Sequence, residues 1–152
     1  MPARDVKVRS SMTRTLLTGE IMRRTLRTAH EDEPLSLASW EMELDEIRHL
    51  LVVDFQGQLV GIVSDRDVTR ALAARGNLGA PVGTIMNREV QTATADTPAV
   101  VVIERMVNGK FSAIPIVDAS RRPIGIVTAT DIMVVAHRAL SGLPFDQPPV
   151  QA

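Results

Sequence analysis

Two short stretches carry the residue types that could do chemistry. They read Gly61-Ile62-Val63-Ser64-Asp65-Arg66-Asp67-Val68 and Gly125-Ile126-Val127-Thr128-Ala129-Thr130-Asp131-Ile132. The shared pattern is G-I-V-[S/T]-x-x-D followed by an apolar residue. A hydroxyl residue three positions before an acid, at a strand-to-helix junction, is close to a capping box, and that role needs no ligand. The same geometry can also serve a ligand. A helix N-terminus offers open N–H groups and a positive dipole end that suit a phosphate. A carboxylate at the third position accepts hydrogen bonds from the vicinal hydroxyls of a ribose, and the hydroxyl of Ser64 or Thr128 can donate to a phosphate. One such box is a weak signal; two in the same register are a stronger one.

Other constellations do not form. Asp65-Arg66-Asp67 has D-x-D spacing, but Ala129 stands at the equivalent of Asp65, so only Asp67 and Asp131 are shared and a metal role is disfavoured. His30, His49 and His137 lie in three separate elements with no ligand spacing. There is no cysteine, which removes disulfides, thiolate nucleophiles and Cys-based zinc sites. No nucleophile elbow or S-x-x-K motif occurs. The chain is read as a binder that needs no cofactor, not as an enzyme.

The two boxes belong to an internal repeat. At an offset of 64, positions 19–68 match the second half at 15 of 50 residues without a gap. Each copy reads as β-α-β-β-α. A short helical turn is expected at Gly19–Met22 and Gly83–Met86, and a short strand near Leu26–Thr28 and Val90–Thr92. Asp32-x-Pro34 and Asp96-x-Pro98 then start helices, with the proline in the first turn, running to about Asp45 and Asn108. Hairpins follow at His49–Asp54 with Leu59–Ser64 and at Ala113–Asp118 with Pro123–Thr128. Closing helices are expected at Asp65–Ala74 and Ala129–Leu140. Near-continuous apolar strands such as Leu50–Val53 and Ile114–Val117 suit sheets covered on both faces. A copy of about 50 residues buries too little alone, so the two sheets should pack together with pseudo-two-fold symmetry and leave clefts between the copies. The expected organisation is a basic arm 1–14, a first repeat 15–75, a linker 76–81, a second repeat 82–140 and a Pro-rich tail 141–152.

Composition narrows the partners. The 152 residues are 45% hydrophobic and 23% charged, a globular balance, and only 3% aromatic. Few aromatics and a net charge of -1 argue against a nucleic-acid platform. The net charge conceals an asymmetry: residues 1–27 sum to +5, residues 28–54 to -7 and residues 55–152 to +1. No segment reaches the roughly 20 apolar residues of a membrane helix. Arg23-Arg24 is followed by acids instead of an apolar core, which is not an export signal. The cytoplasm is the expected compartment.

These motifs together resemble a tandem pair of cystathionine-β-synthase (CBS) domains, a Bateman module. The resemblance rests on Glu20-Ile21-Met22 and Thr84-Ile85-Met86, the two Asp-x-Pro motifs, Arg48–Asp54 and Ser112–Asp118, and the two G-I-V-[S/T]-x-x-D endings. It covers residues 15–140. It implies an α+β (α/β) fold of two packed repeats and a regulatory ligand of the adenosine class: AMP, ADP, ATP or S-adenosylmethionine. Carried over, Asp67 and Asp131 would hold ribose hydroxyls, and Ser64 and Thr128 would meet phosphate or ribose oxygens. His49, Leu50 and Leu51, Ala113, Ile114 and Pro115, with Thr28-Ala29 and Thr92-Ala93, would frame the adenine through backbone groups and apolar contact. The copies differ at Arg66 and Thr130, so a phosphorylated ligand is expected to favour the cleft that Arg66 reaches.

The first helix carries two stripes. Leu35, Ala38 and Met42 match Ala99, Val102 and Met106 of the second copy; Leu37, Trp40 and Leu44 lie on the other side among acids. That second stripe either packs against the other copy's helix or forms a homodimer contact, since the family commonly dimerises. The function expected is a sensor that modulates a partner protein. The alternative is a ligand-free module acting through dimerisation.

Overall fold

The structure, a computed structural model, describes residues 14–75 and 77–144. Most of the basic arm and of the Pro-rich tail lie outside the described residues. In chain order the elements are α1 (Thr18–Ile21), β1 (Thr28–Ala29), α2 (Leu35–Leu44), β2 (His49–Val53), β3 (Leu59–Ser64), α3 (Asp65–Arg75), a 3-10 turn (Val82–Thr84), α4 (Ala99–Gly109), β4 (Ala113–Val117), β5 (Pro123–Thr128) and α5 (Ala129–Ser141). The β-α-β-β-α reading holds in the first copy. Both Asp-x-Pro helices start one residue after the proline, which sits at the N-cap with no side-chain cap bond.

β1 runs parallel to β2 and β2 antiparallel to β3. The second copy pairs β4 with β5 in the same register, one repeat along. Its expected strand at Val90–Thr92 does not form; a single parallel bridge joins Ala93 to Ile116. The cause is one residue. In the first copy the Leu51 N–H donates to the Arg27 carbonyl at 3.4 Å. The equivalent position is Pro115, which has no N–H to give.

The opening segment of each copy does not pack on its own copy. The Thr18 N–H donates to the Thr97 carbonyl at 2.9 Å and the Gly19 N–H to the Ala95 carbonyl at 2.8 Å. In mirror fashion the Val82 and Gly83 N–H groups donate to the Glu33 and Glu31 carbonyls, both at 2.8 Å. Arg23 then bridges Ile126 of β5, and Asn87 bridges Ile62 of β3. Met22 is buried in the second copy's core with Val102, Met106, Ile114, Ile116 and Val127. Val82 and Met86 are buried in the first copy's core with Leu35, Ala38, Leu50, Val52 and Val63. A third cluster, Leu51, Leu59, Val117 and Ile126, forms the seam between the two sheets.

The glycine of each G-I-V motif is the receiving half of this exchange. A Cβ at Gly61 would stand 2.5 Å from the Met86 sulfur, and one at Gly125 would collide with the Met22 sulfur. A glycine inside a strand otherwise weakens it, so the notch is the reason for its presence. Gly61→Ala is therefore expected to destabilise by about 1–3 kcal/mol, as overpacking does. Combined with Met86→Ala the two losses should be less than additive in urea unfolding. Additive losses, or a stabilised Gly61→Ala, would contradict the notch.

Candidate functional site

Both boxes close as capping boxes. In the first, the Ser64 N–H and hydroxyl donate to Asp67 Oδ2 at 2.9 and 2.7 Å, and the Asp67 N–H returns to Ser64 Oγ at 3.2 Å. In the second, Thr128 makes the same bonds to Asp131 Oδ2 at 2.8 and 2.7 Å, with the return bond at 3.4 Å. Each hydroxyl hydrogen is thus directed at its own aspartate, not outward. Each carboxylate keeps Oδ1 outside the box.

What faces that remaining oxygen differs. Asp131 Oδ1 lies 3.2 Å from Nη2 of Arg23, which arrives from the first copy's opening segment. Asp67 Oδ1 has Arg70, 3.8 Å away and one turn along its own helix. The residue equivalent to Arg23 is Asn87, whose Oδ1 accepts the Glu89 N–H at 3.0 Å. Asp67 faces a cleft of about 370 Å³ that also takes in Leu35, Ala71, Thr84 and Ile85. This volume falls within the range of small-molecule sites, and Thr84 and Ile85 come from the other copy.

A second cavity of about 330 Å³ lies where the copies meet. Ser64, Asp65 and Arg66 line it from one side and Thr128, Ala129 and Thr130 from the other, with Arg23, Arg48, His49 and Ser112 between. It continues into a smaller cavity along Thr25–Arg27, Ile47–His49 and Leu51. The helix ends at this cavity are unequal. Asp65 takes the Arg66 N–H at 2.8 Å and pairs with Arg48 at 3.0 Å. Ala129 cannot do this, and the Thr130 N–H has no hydrogen-bond partner among the described residues. His49 Nε2 sits 3.0 Å from Ser112 Oγ across the seam. Burial holds the His49 pKa below its ordinary 6.5, against an upward pull from Asp65.

The structure brings Ser64, Arg66, His49, Thr128 and Thr130 to one cavity, with Asp67 and Asp131 on the adjoining helices. Arg66 lines the cavity shared by both copies, together with Arg23, and does not line the cleft that Asp67 faces. Ala29, Leu50, Ala93 and Ile114 are core residues, and Pro115 is fully buried; any framing of an adenine by them is by backbone alone. Leu51 is buried in the seam yet borders the smaller cavity. Ala113 packs against the seam cluster, Thr28 is exposed and Thr92 is half-buried. The sequence reading missed Arg23, Arg48, Arg70 and Ser112. The signal for Arg23 was present: it is a mismatch with Asn87 inside an otherwise matching stretch.

Residues 19–74 and 82–138 each match the CBS domain. The chain belongs to the CBS domain family. Similarity extends over the whole pair. A solved CBS domain pair in complex with 5′-methylthioadenosine and S-adenosyl-L-methionine is 34% identical, superposes with a TM-score of 0.74, and is covered over 98% of its length by 85% of this chain. The L-aspartate semialdehyde sulfurtransferase of Methanocaldococcus jannaschii is 36% identical over 116 residues, which are 76% of this chain and 22% of that protein. The homoserine O-acetyltransferase of Methanococcoides burtonii is 35% identical over 113 residues, 74% of this chain and 22% of that protein. The CBS pair thus spans about a fifth of the length of these curated relatives.

His49 supplies a pH test. Its folded pKa is depressed, so its contribution to stability is intact above 6.5 and is lost as pH falls through 6.5 toward the folded value. Ring-proton NMR should show a His49 midpoint below 6.5. A midpoint at or above 6.5 would contradict the half-buried neutral ring.

Proposed function

We propose that this CBS pair is a regulatory module that binds adenosine compounds at the seam between its two copies. The observation that carries this reading is the pair of hydroxyl–carboxylate boxes, each set beside residues from the other copy: Thr84 and Ile85 beside Asp67, and Arg23 beside Asp131. A ribose held by either aspartate would touch both halves of the molecule. Its binding would bias their relative orientation, which a partner protein can read. The ligands of the 34% identical pair, 5′-methylthioadenosine and S-adenosyl-L-methionine, support the same chemical class here. The enzymatic names of the longer relatives attach to proteins of which this chain matches a fifth, so they support no activity for it. Among the described residues no helix is long and apolar enough to cross a membrane, and we place the module in the cytoplasm, where such ligands are made.

A finer part of the proposal concerns assembly. Trp40 and Leu44 are 57% and 60% exposed and Leu37 is 38% exposed. The stripe therefore does not pack against the other copy's helix. On α4 of the second copy, Val100 and Val107 are likewise exposed. Both copies present apolar helical faces outward, and we assign them to a second copy of the chain.

Two measurements test these statements. In thermal unfolding, AMP, ATP or S-adenosylmethionine at about 100 times its Kd should stabilise by about 2.7 kcal/mol, and Asp67→Asn with Asp131→Asn should abolish the shift. No shift with any of the three would contradict the adenosine reading. Light scattering should give a dimer mass, lowered to that of one chain by Trp40→Glu with the circular dichroism unchanged. An unchanged mass for that variant would remove the interface.

A further inference from the structure

The two boxes hold the same carboxylate beside different neighbours: Asp67 faces the cleft of about 370 Å³, and Asp131 adjoins, through Arg23 and Thr128–Thr130, the cavity of about 330 Å³, here the Asp131 cleft. Asp131 Oδ1, the oxygen its box leaves over, is paired with Arg23 across the seam. Asp67 Oδ1 faces only Arg70 of its own helix, 3.8 Å away and 79% exposed, so water already screens that charge; it has no cross-copy cation, because Asn87 stands in the place of Arg23 and its side chain is turned onto its own backbone. We propose that Arg23 makes the clefts unequal in ligand charge: the Asp131 cleft selects adenosine compounds with an anionic group on the 5′ side, and the Asp67 cleft takes uncharged ones. This rests on the adenosine reading above and refines it.

The selectivity follows from the ion pair. A ribose that binds Asp131 must share or take Oδ1. The Asp131 side chain is only 13% exposed and Arg23 is 44% exposed, so water restores the lost contact incompletely. An uncharged nucleoside would leave the guanidinium without its carboxylate. A phosphate would replace that carboxylate, and guanidinium binds phosphate through paired hydrogen bonds. The helix end points the same way. The Thr130 N–H is open and Thr130 lines the cavity that Arg23 also lines, where the Asp65 charge is already paired with Arg48. Removing one charged hydrogen-bond partner changes affinity by about tenfold or more.

Calorimetry with AMP and adenosine separates the possibilities. In an Asp67→Asn background, which leaves the Asp131 cleft, AMP should bind about tenfold more tightly than adenosine. Adding Arg23→Asn should weaken AMP by about that factor and leave adenosine unweakened. In an Asp131→Asn background, Asn87→Arg should confer an AMP preference on the Asp67 cleft. The Arg23 bridge to Ile126 uses backbone atoms, so the Arg23→Asn fold should persist, and unfolding curves check it. Equal losses of both ligands in Arg23→Asn, or no gain of AMP preference in Asn87→Arg, would overturn the inference while the adenosine reading stands. If neither ligand binds the unaltered chain, the reading and the inference fall together.

Discussion

Everything in this molecule depends on one reciprocal contact: the methionine of each opening segment fills the notch left by the glycine of the other copy's closing strand. Met22 lies against Gly125 and Met86 against Gly61. The exchange lets each small core be completed by residues the chain supplies from elsewhere, which answers the problem that about 50 residues bury too little surface alone. It also fixes the sheets face to face. Once Arg23 is bonded to Ile126 and Asn87 to Ile62, the strands carrying Leu51, Leu59, Val117 and Ile126 can only meet at the seam.

The same exchange builds the clefts. Each capping aspartate sits on its own copy's helix, and the chain that passes beside it is the other copy's opening segment. A ligand at either aspartate is therefore an inter-copy ligand by construction. The near-symmetry makes the differences legible as chemistry. Arg23 against Asn87, Asp65 against Ala129 and Glu31 against Ala95 are among the places where charge has been added to one side only. Glu31 pairs with Arg88 at 2.9 Å, a bond that holds its carboxyl below the usual carboxylate range and again joins the two copies.

Much of this was legible in the residues. The offset of 64 revealed the repeat, the apolar strands implied two-sided burial, and the hydroxyl-x-x-acid spacing placed both capping boxes. Pro115 stood in the sequence too, but it was read as framing a ligand, and the ladder bond it removes from the second copy was not foreseen. What the sequence hid was which copy each opening segment serves. Gly19–Met22 and Gly83–Met86 look the same whether packed at home or exchanged, because periodicity reports a buried face and not its partner. For the same reason Arg23 read only as one of the charges in residues 1–27, and its carboxylate lies 108 residues away. The Leu37–Trp40–Leu44 stripe shows the opposite case: its spacing was plain, and only the fold showed it to be left outside.

The most direct test is native-state amide hydrogen exchange at the bridge N–H groups of Arg23, Ile62, Asn87 and Ile126, with and without AMP. If the copies form one unit with ligand sites at their seam, all four amides share one opening free energy, and AMP raises it for all four together. If Ile62 and Asn87 open independently of Arg23 and Ile126, or AMP protects neither pair, the account of an exchanged, seam-binding pair is wrong.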